Sequence, residues 1–236
     1  MNFQETNYLS PLFANKMRYS RCCLIALVFV LGAFFNFTSC RKDSKCNCSA
    51  DTIKIAKIFQ PDGSNGKDAV IESIIPDQNN GGTSLFTLFA WTTNGEFDTA
   101  RSLIEFNLSY IPPQTKIKKA ELSLYWKPFG NLTDQTGENA FSIYRITQPW
   151  DEATVTWNNQ PSTTDLYKVM VPKSTSIDQS YLNIDVTYLV QDMIDDPSTN
   201  YGFMLKLDTE FPYRLVVLAS SNDSDKTKHP RLVIYY

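Results

Sequence analysis

The sequence predicts an all-β fold, a two-sheet antiparallel sandwich of jelly-roll type with one short helix. From Ile53 onward, apolar residues recur at every second position in runs rich in β-branched and aromatic side chains. Gly, Pro, Asn or Asp interrupts these runs about every 8–15 residues, which is typical of turns between strands. Only one stretch has helical spacing, so the alternation of strands and helices that marks a parallel sheet is missing.

The alternating pattern identifies ten candidate strands. In the segment 102–108, apolar residues occupy positions 104, 106 and 108, while Glu105 and Asn107 stand between them. The segment 120–126 repeats the pattern, so positions 120, 122, 124 and 126 are expected to face the core. The other candidates are 69–74, 141–144, 155–157, 168–171, 181–186, 203–207, 214–219 and 231–236.

The exception to the alternating pattern is the segment 187–194. Its apolar residues stand at positions 189, 190, 193 and 194, the spacing of one helix face. Asp185 or Thr187 can cap the first turn, and Pro197 ends the segment. The sequence therefore predicts one short helix that lies across an end of the sandwich.

The first 40 residues have the pattern of a secretory signal. The run from Cys22 to Phe37 has no charged residue, basic residues precede it, and small residues precede Cys40. A cysteine directly after the cleavage point resembles a bacterial lipobox, in which the thiol receives a diacylglycerol. We expect a signal peptide over residues 1–39 that starts at Met1 or Met17, and lipid attachment at Cys40.

A membrane-spanning helix is the alternative interpretation of this run. Such a helix needs about 20 apolar residues, and the uncharged run is shorter than that. A lipid-anchored protein of the cell envelope is therefore favoured, with the outer membrane as the expected membrane. Residues 40–52 read as a polar tether, and residues 53–236 as the sandwich domain.

Composition limits the chemistry of this domain. All five cysteines precede residue 49, so neither disulfides nor thiolate metal sites are expected in the domain. After residue 50 the chain has 16 Lys and Arg against 23 Asp and Glu, a net charge of −7. Nucleic-acid binding rests on clustered positive charge, so nucleic acid is excluded as a partner.

The sequence also argues against catalysis. Asp151 and Glu152 are adjacent in a predicted turn, whereas glycoside hydrolysis needs two carboxyl groups that face each other across a cleft. His229 is the only histidine and has no evident partner for a triad or a zinc site. No cofactor is expected. Oxygen-bearing residues that could surround a structural Ca²⁺ match no known loop spacing; they are Asp62, Asp68, Asp77, Asn79 and Asn80.

The segment Trp150–Pro161, with the sequence WDEATVTWNNQP, is the least generic part of the chain. The segments 76–82 and 101–108 precede it, and the helical segment and Asn200-Tyr201-Gly202-Phe203 follow. This ordered set, over about residues 66–236, resembles the DNRLRE-domain family of secreted and cell-surface bacterial proteins. The resemblance implies a jelly-roll sandwich without catalysis, related to a carbohydrate-binding module family that binds alginate. Only Arg231-Leu232 remains of the motif that gives the family its name.

Two residue types are candidates for ligand binding. Tryptophan rings can stack on the apolar face of a sugar, and Trp91, beside polar residues, is the one most expected to be exposed. Arginine can hold a uronate carboxylate through two parallel hydrogen bonds. The alternatives are a core position for each tryptophan and an ion pair with Glu105, Glu152 or Glu210 for the arginines. The candidates are Trp91, Arg101, Trp126, Arg145, Trp150, Trp157 and Arg214.

The function expected from the sequence is therefore binding without catalysis. The first hypothesis is a cell-envelope module that binds a carbohydrate, with acidic polysaccharides among the options. The second is a structural or adhesive surface protein that binds another protein. Convergence of exposed aromatic residues and arginines on one face would favour the first hypothesis.

Overall fold

The computed structural model describes residues 56–128 and 130–236, which form two antiparallel sheets and one α-helix. The predicted signal peptide, Cys40 and the tether lie outside the described residues. In chain order the strands are β1 (Ala56–Phe59), β2 (Lys67–Glu72), β3 (Leu85–Thr93), β4 (Glu96–Glu105), β5 (Lys119–Leu124), β6 (Phe141–Ile146), β7 (Thr163–Val171), β8 (Tyr181–Asp185), β9 (Phe203–Leu207), β10 (Arg214–Ala219) and β11 (Arg231–Tyr235). The α-helix α1 is Thr187–Asp195, and short 3₁₀ helices are Pro197–Thr199 and Lys226–Lys228.

The two sheets differ in size. The smaller sheet has the strand order β1-β11-β5-β8, and the larger sheet has the order β10-β3-β4-β9-β6-β7, with β2 also paired to β4. Strand β3 pairs with residues 96–100 of β4, and β2 pairs with residues 100–105. Strands β2 and β3 therefore pair with successive halves of β4.

The main core fills the space between the two sheets. Leu122 and Leu124 of β5 meet the larger sheet through residues such as Leu88 and Ile143, all of them fully buried. Helix α1 closes the core with its four buried residues, which stand at the predicted positions 189, 190, 193 and 194. The predicted antiparallel sandwich with one short helix is confirmed, and burying these side chains drives its formation.

A second, smaller cluster covers the other face of the larger sheet. Leu103 and Met204 point into it, whereas their neighbours Ile104 and Phe203 enter the main core. The segment Trp150–Pro161 folds over this face. The most specific part of the sequence thus forms a cover for the sheet.

The loop 76–82 holds this cover in place. The Asn79 side-chain amide donates hydrogen bonds of 2.8 Å to the backbone carbonyls of both Glu152 and Val155. Gly81 lies so close to the backbone of Glu152 that a β-carbon would not fit there. The two loops that belong together in the sequence motif are therefore in direct contact.

The predicted strand 155–157 is wrong. The backbone N–H of Val155 bonds to the Asp151 carbonyl at 2.8 Å, and that of Thr156 bonds to the Asn159 side chain at 2.6 Å. Both donors are thus used within the loop, so no neighbouring strand can pair with them. Strand β3 shows the opposite error, since it is present in the structure but was not predicted from the sequence.

Helix α1 begins and ends close to the predicted positions. The N-cap residue is Val186, which makes no side-chain cap bond, so neither predicted residue occupies that position. The carboxylate of Asp185, one residue earlier, accepts a hydrogen bond of 2.6 Å from the Thr187 hydroxyl and one of 3.0 Å from the Thr187 backbone N–H, and these bonds lower the pKa of Asp185. In the part of the chain described by the structure, no helix is both long enough and apolar enough to span a bilayer.

Candidate functional site

A groove of about 540 Å³ lies on the larger sheet and is here named the β3 groove. Its lining comes from β2, β3, β10 and the start of β4, together with the loops 75–83 and 131–136. A cavity of this size is typical of small-ligand and oligosaccharide sites. The aromatic, carboxyl and amide side chains of the lining include Glu72, Gln78, Asn80, Phe89, Trp91, Asp98, Asn131 and Asp134.

Strand β3 forms the groove through every second residue. Positions 87, 89, 91 and 93 line the groove, whereas positions 86, 88 and 90 are buried in the main core. This is the period of two that a strand imposes on its side chains. Because residues on both faces of β3 are largely apolar, the strand has no alternation of apolar and polar residues for sequence reading to detect.

Trp91 is the exposed aromatic residue at this groove, with 38 % of its surface accessible. Its ring makes an edge-to-face contact with Tyr213, with 5.2 Å between ring centroids and 89° between planes. Tyr213 adopts a left-handed backbone conformation, φ +69°, which costs a bulky residue about 1–3 kcal/mol. The Trp91 ring therefore packs against a second aromatic ring at the edge of the groove, and this contact restricts its orientation.

A pair of carboxyl groups lies in the groove. Asp98 is only 1 % exposed and accepts hydrogen bonds from the hydroxyls of Thr93 at 2.9 Å and Ser73 at 3.3 Å. Burial of Glu72, together with the charge and hydrogen bond of Asp98, raises the pKa of Glu72 to about 7. A pKa near neutrality lets the Glu72 carboxyl group donate a hydrogen bond when it is protonated and accept one when it is ionised.

The groove is acidic. Its ionisable residues are Glu72, Asp98 and Asp134, and no Lys or Arg is among the described residues that line it. Side-chain amides of Gln78, Asn80 and Asn131 add neutral donors and acceptors. Such a lining suits a ligand with many hydroxyl groups and no negative charge.

Arg101 is held by contacts within the protein. Its guanidinium forms two hydrogen bonds with the Glu210 carboxylate, at 2.7 and 2.8 Å, and a third with the Gln160 side chain at 2.8 Å. It also lies 4.5 Å from the centroid of the Trp157 ring. Arg101 therefore forms a structural ion pair with Glu210, which was the alternative to ligand binding.

The other two candidate arginines lie elsewhere and also contact protein atoms. Arg145 is near Asp192 of α1, at 3.7 Å, and its Nε is buried without a hydrogen-bond partner. Arg214 donates to the backbone carbonyls of Glu138 at 2.9 Å and Phe211 at 2.7 Å. Each of the three candidate arginines thus has its own set of protein partners.

Three of the four tryptophans have structural contacts. Trp150 is buried in the second cluster, where its indole N–H donates to the Tyr201 carbonyl at 2.9 Å. Trp157 is half-buried against the same cluster. Trp126 is half-buried, and its indole donates to the Thr133 carbonyl at 3.0 Å. Trp91 alone among them lines the β3 groove.

The adjacent acids of the tryptophan segment have structural roles. The Asp151 side chain accepts a hydrogen bond from the backbone N–H of Ala153 at 2.8 Å, and the Glu152 side chain accepts one from the backbone N–H of Asp68 at 3.0 Å.

Both ring nitrogens of His229 contact backbone carbonyls, those of Pro61 and Asp223. Within residues 56–128 and 130–236, no group of three or more His, Cys, Asp or Glu is placed to hold a metal ion.

Comparison with known families identifies a carbohydrate-binding module family. The sequence model of carbohydrate-binding module family 96 matches residues 63–236, which is most of the described part of the chain. No curated protein is similar enough to this sequence to count as a match. The matched range includes both the β3 groove and the segment Trp150–Pro161.

Proposed function

Because the chain belongs to carbohydrate-binding module family 96, we propose that it binds a neutral glycan in the β3 groove and does not act on it chemically. The observation that supports this most is the lining of the groove. It combines a tryptophan that packs against Tyr213 with carboxyl and amide side chains, and the described residues that line it include no Lys or Arg. A concave site with an aromatic face and a few convergent polar groups is the usual form of a small-ligand site.

The proposed mechanism uses two kinds of contact. The Trp91 ring stacks on the apolar face of one sugar, because ring C–H groups and an indole face exclude water from each other. The carboxyl groups of Glu72 and Asp98 and the amides of Asn80 and Gln78 then exchange hydrogen bonds with the sugar hydroxyls. Tyr213 positions Trp91 before the ligand arrives, which reduces the entropy lost on binding.

The same groups do not support hydrolysis. A glycosidase needs two carboxyl groups about 5–9.5 Å apart, on either side of the scissile bond. Glu72 and Asp98 instead stand on the paired strands β2 and β4 of one sheet, where the charge of Asp98 helps to raise the pKa of Glu72. The two carboxyl groups therefore lie on the same wall of the groove and do not face each other across it.

An acidic polysaccharide is a poorer ligand for this groove. The carboxylates of Asp98 and Asp134 would repel a uronate, and Glu72 would add a third negative charge above its pKa of about 7. Below that pH, the protonated Glu72 can donate a hydrogen bond to a uronate carboxylate. Binding of a polyuronate should therefore improve as the pH falls.

A panel of soluble polysaccharides tests the proposal. We expect affinity gel electrophoresis of the full chain at pH 8 to show retardation by a neutral β-glucan, xylan or mannan and little by alginate. At pH 5.5 the difference between alginate and the best neutral glycan should narrow, and a Glu72→Gln variant should remove this dependence on pH. Absence of retardation by every glycan would reject carbohydrate binding and favour a protein partner. Tight alginate binding at pH 8 would reject the groove as the site.

We also propose that the module is held at a bacterial membrane by lipid on Cys40, with the outer membrane as the favoured location. The supporting pattern is the basic flank, the uncharged run and the small residues before this cysteine. A single acyl signal gives weak membrane binding, whereas two or more chains anchor a protein stably. We expect Cys40→Ala to move the protein from the membrane fraction to the soluble fraction, with Cys46→Ala as the matched control. Retention of the Cys40 variant in the membrane would contradict the proposal.

A further inference from the structure

Two exposed tyrosines form a stacked pair far from the β3 groove. Tyr167 of β7 and Tyr188 of α1 lie with 5.3 Å between ring centroids and 26° between ring planes. Their exposed fractions are 48 % and 70 %, unusually high for large aromatic side chains in contact with each other. We name this pair the tyrosine platform.

The backbone at Tyr167 is strained. Its φ is +61°, in the left-handed region that costs a bulky residue about 1–3 kcal/mol. The strain coincides with a bulge, because the pairing register between β6 and β7 shifts between Ile143 and Arg145. Bulges re-aim side chains, and this one turns the Tyr167 ring onto Tyr188.

Tyr188 is held from below by its helix. Its neighbours Leu189 and Val190 are fully buried in the main core, which fixes the first turn of α1. One side of the Tyr188 ring contacts Tyr167, and most of the ring surface is accessible. The contact restricts the motion of the ring, which lowers the entropy cost of binding to it.

We propose that the tyrosine platform is a second glycan contact, separate from the β3 groove, with Tyr188 as the contacting ring and Tyr167 as the residue that positions it. This inference rests on the proposed function for the class of ligand. A flat phenol ring matches the apolar face of a neutral sugar, and its hydroxyl can exchange a hydrogen bond with a sugar hydroxyl.

The position of the platform suggests how it acts. Strand β7 stands at one end of the strand order of the larger sheet, and β10 and β3, which line the groove, stand at the other. The groove lies on the face of the sheet away from the main core, whereas α1 packs on that core, so only a polysaccharide long enough to pass the sheet edge contacts both surfaces. A short oligosaccharide occupies one. Linked contacts of this kind raise the affinity for the long chain by about 10²-fold or more over either contact alone.

The test compares long and short ligands of the same glycan, measured by isothermal titration calorimetry on the full chain. The probes are soluble β-glucan, xylan and mannan and their short oligosaccharides. We expect Tyr188→Ala to weaken polysaccharide binding by about 10²-fold or more and to leave oligosaccharide binding in the groove unchanged. Tyr167→Gly removes the backing ring and the backbone strain together, so it should retain the fold and weaken polysaccharide binding less.

Tyr110→Ala is the matched control, since Tyr110 is equally exposed at 67 % and lies outside both surfaces. Unchanged polysaccharide binding by the Tyr188 variant, with loss in a Trp91 variant, would overturn the platform and leave the groove in place. Equal weakening for long and short ligands would overturn the separation into two sites. Loss in the Tyr188 variant alone would instead reject the groove. If the wild type binds none of the probes, both proposals fail.

Discussion

Replacing Trp91 by alanine is expected to lower the affinity for the bound neutral glycan by about 30-fold, or about 2 kcal/mol. The ring is the exposed aromatic surface of the β3 groove and is held by Tyr213 at 5.2 Å. Removing it deletes the stacking contact and leaves the surrounding hydrogen-bonding groups in place. Because Trp91 is 38 % exposed, the loss of folding stability should be much smaller than for a core tryptophan. Isothermal titration calorimetry measures the affinity, and thermal unfolding measures the stability.

Two further variants make the result specific. Trp91→Phe keeps an aromatic face and should retain most of the affinity. Phe97→Ala removes another exposed aromatic residue, from β4 and outside the groove lining, and should leave affinity unchanged. If the Trp91→Ala variant binds as tightly as the wild type, stacking in the β3 groove is not the mode of binding.

The fold could be predicted wherever a strand has one face in the core and the other in water. The segment 120–124 shows this, since Ala120, Leu122 and Leu124 are fully buried as the pattern predicts. Strand β3 was not predicted because its second face lines a groove and is also largely apolar. The segment 155–157 was wrongly predicted to be a strand. Its β-branched and aromatic residues are typical of strands, but here they belong to a loop that covers the sheet.

The candidate site could be predicted only in part. The polar residues after Trp91 identified it as the exposed tryptophan, and a local pattern suffices for that. The partner of Arg101 is Glu210, one of the three glutamates named from the sequence, but it stands 109 residues later, so no local pattern could select it over Glu105 or Glu152. The carboxyl pair was missed because Glu72 and Asp98 meet only through the pairing of β2 and β3 with β4. A charged residue such as Asp98 between strand residues is the signal that could have identified it.

Arg101→Ala is expected to lower the free energy of unfolding by about 2–4 kcal/mol. The guanidinium has three side-chain hydrogen bonds and lies over the Trp157 ring, so its removal strips the partner contacts of Glu210 and Gln160. Both charged side chains are mostly buried, at 20 % and 23 % exposure, so the carboxylate left behind is poorly solvated. Urea unfolding monitored by tryptophan fluorescence measures the change.

The same substitution separates a structural arginine from a ligand-binding one. Since Arg101 contacts the cover segment and does not line the β3 groove, glycan affinity should stay unchanged while the protein is folded. The double variant Arg101→Met, Glu210→Met should recover much of the lost stability, because no charge is left unpaired. Arg214→Ala serves as the control, with an expected loss below about 1 kcal/mol, since that exposed guanidinium bonds only to two carbonyls. If the Arg101→Ala variant is stable but no longer binds glycan, Arg101 belongs to the binding site. An acidic ligand would then be favoured over a neutral one.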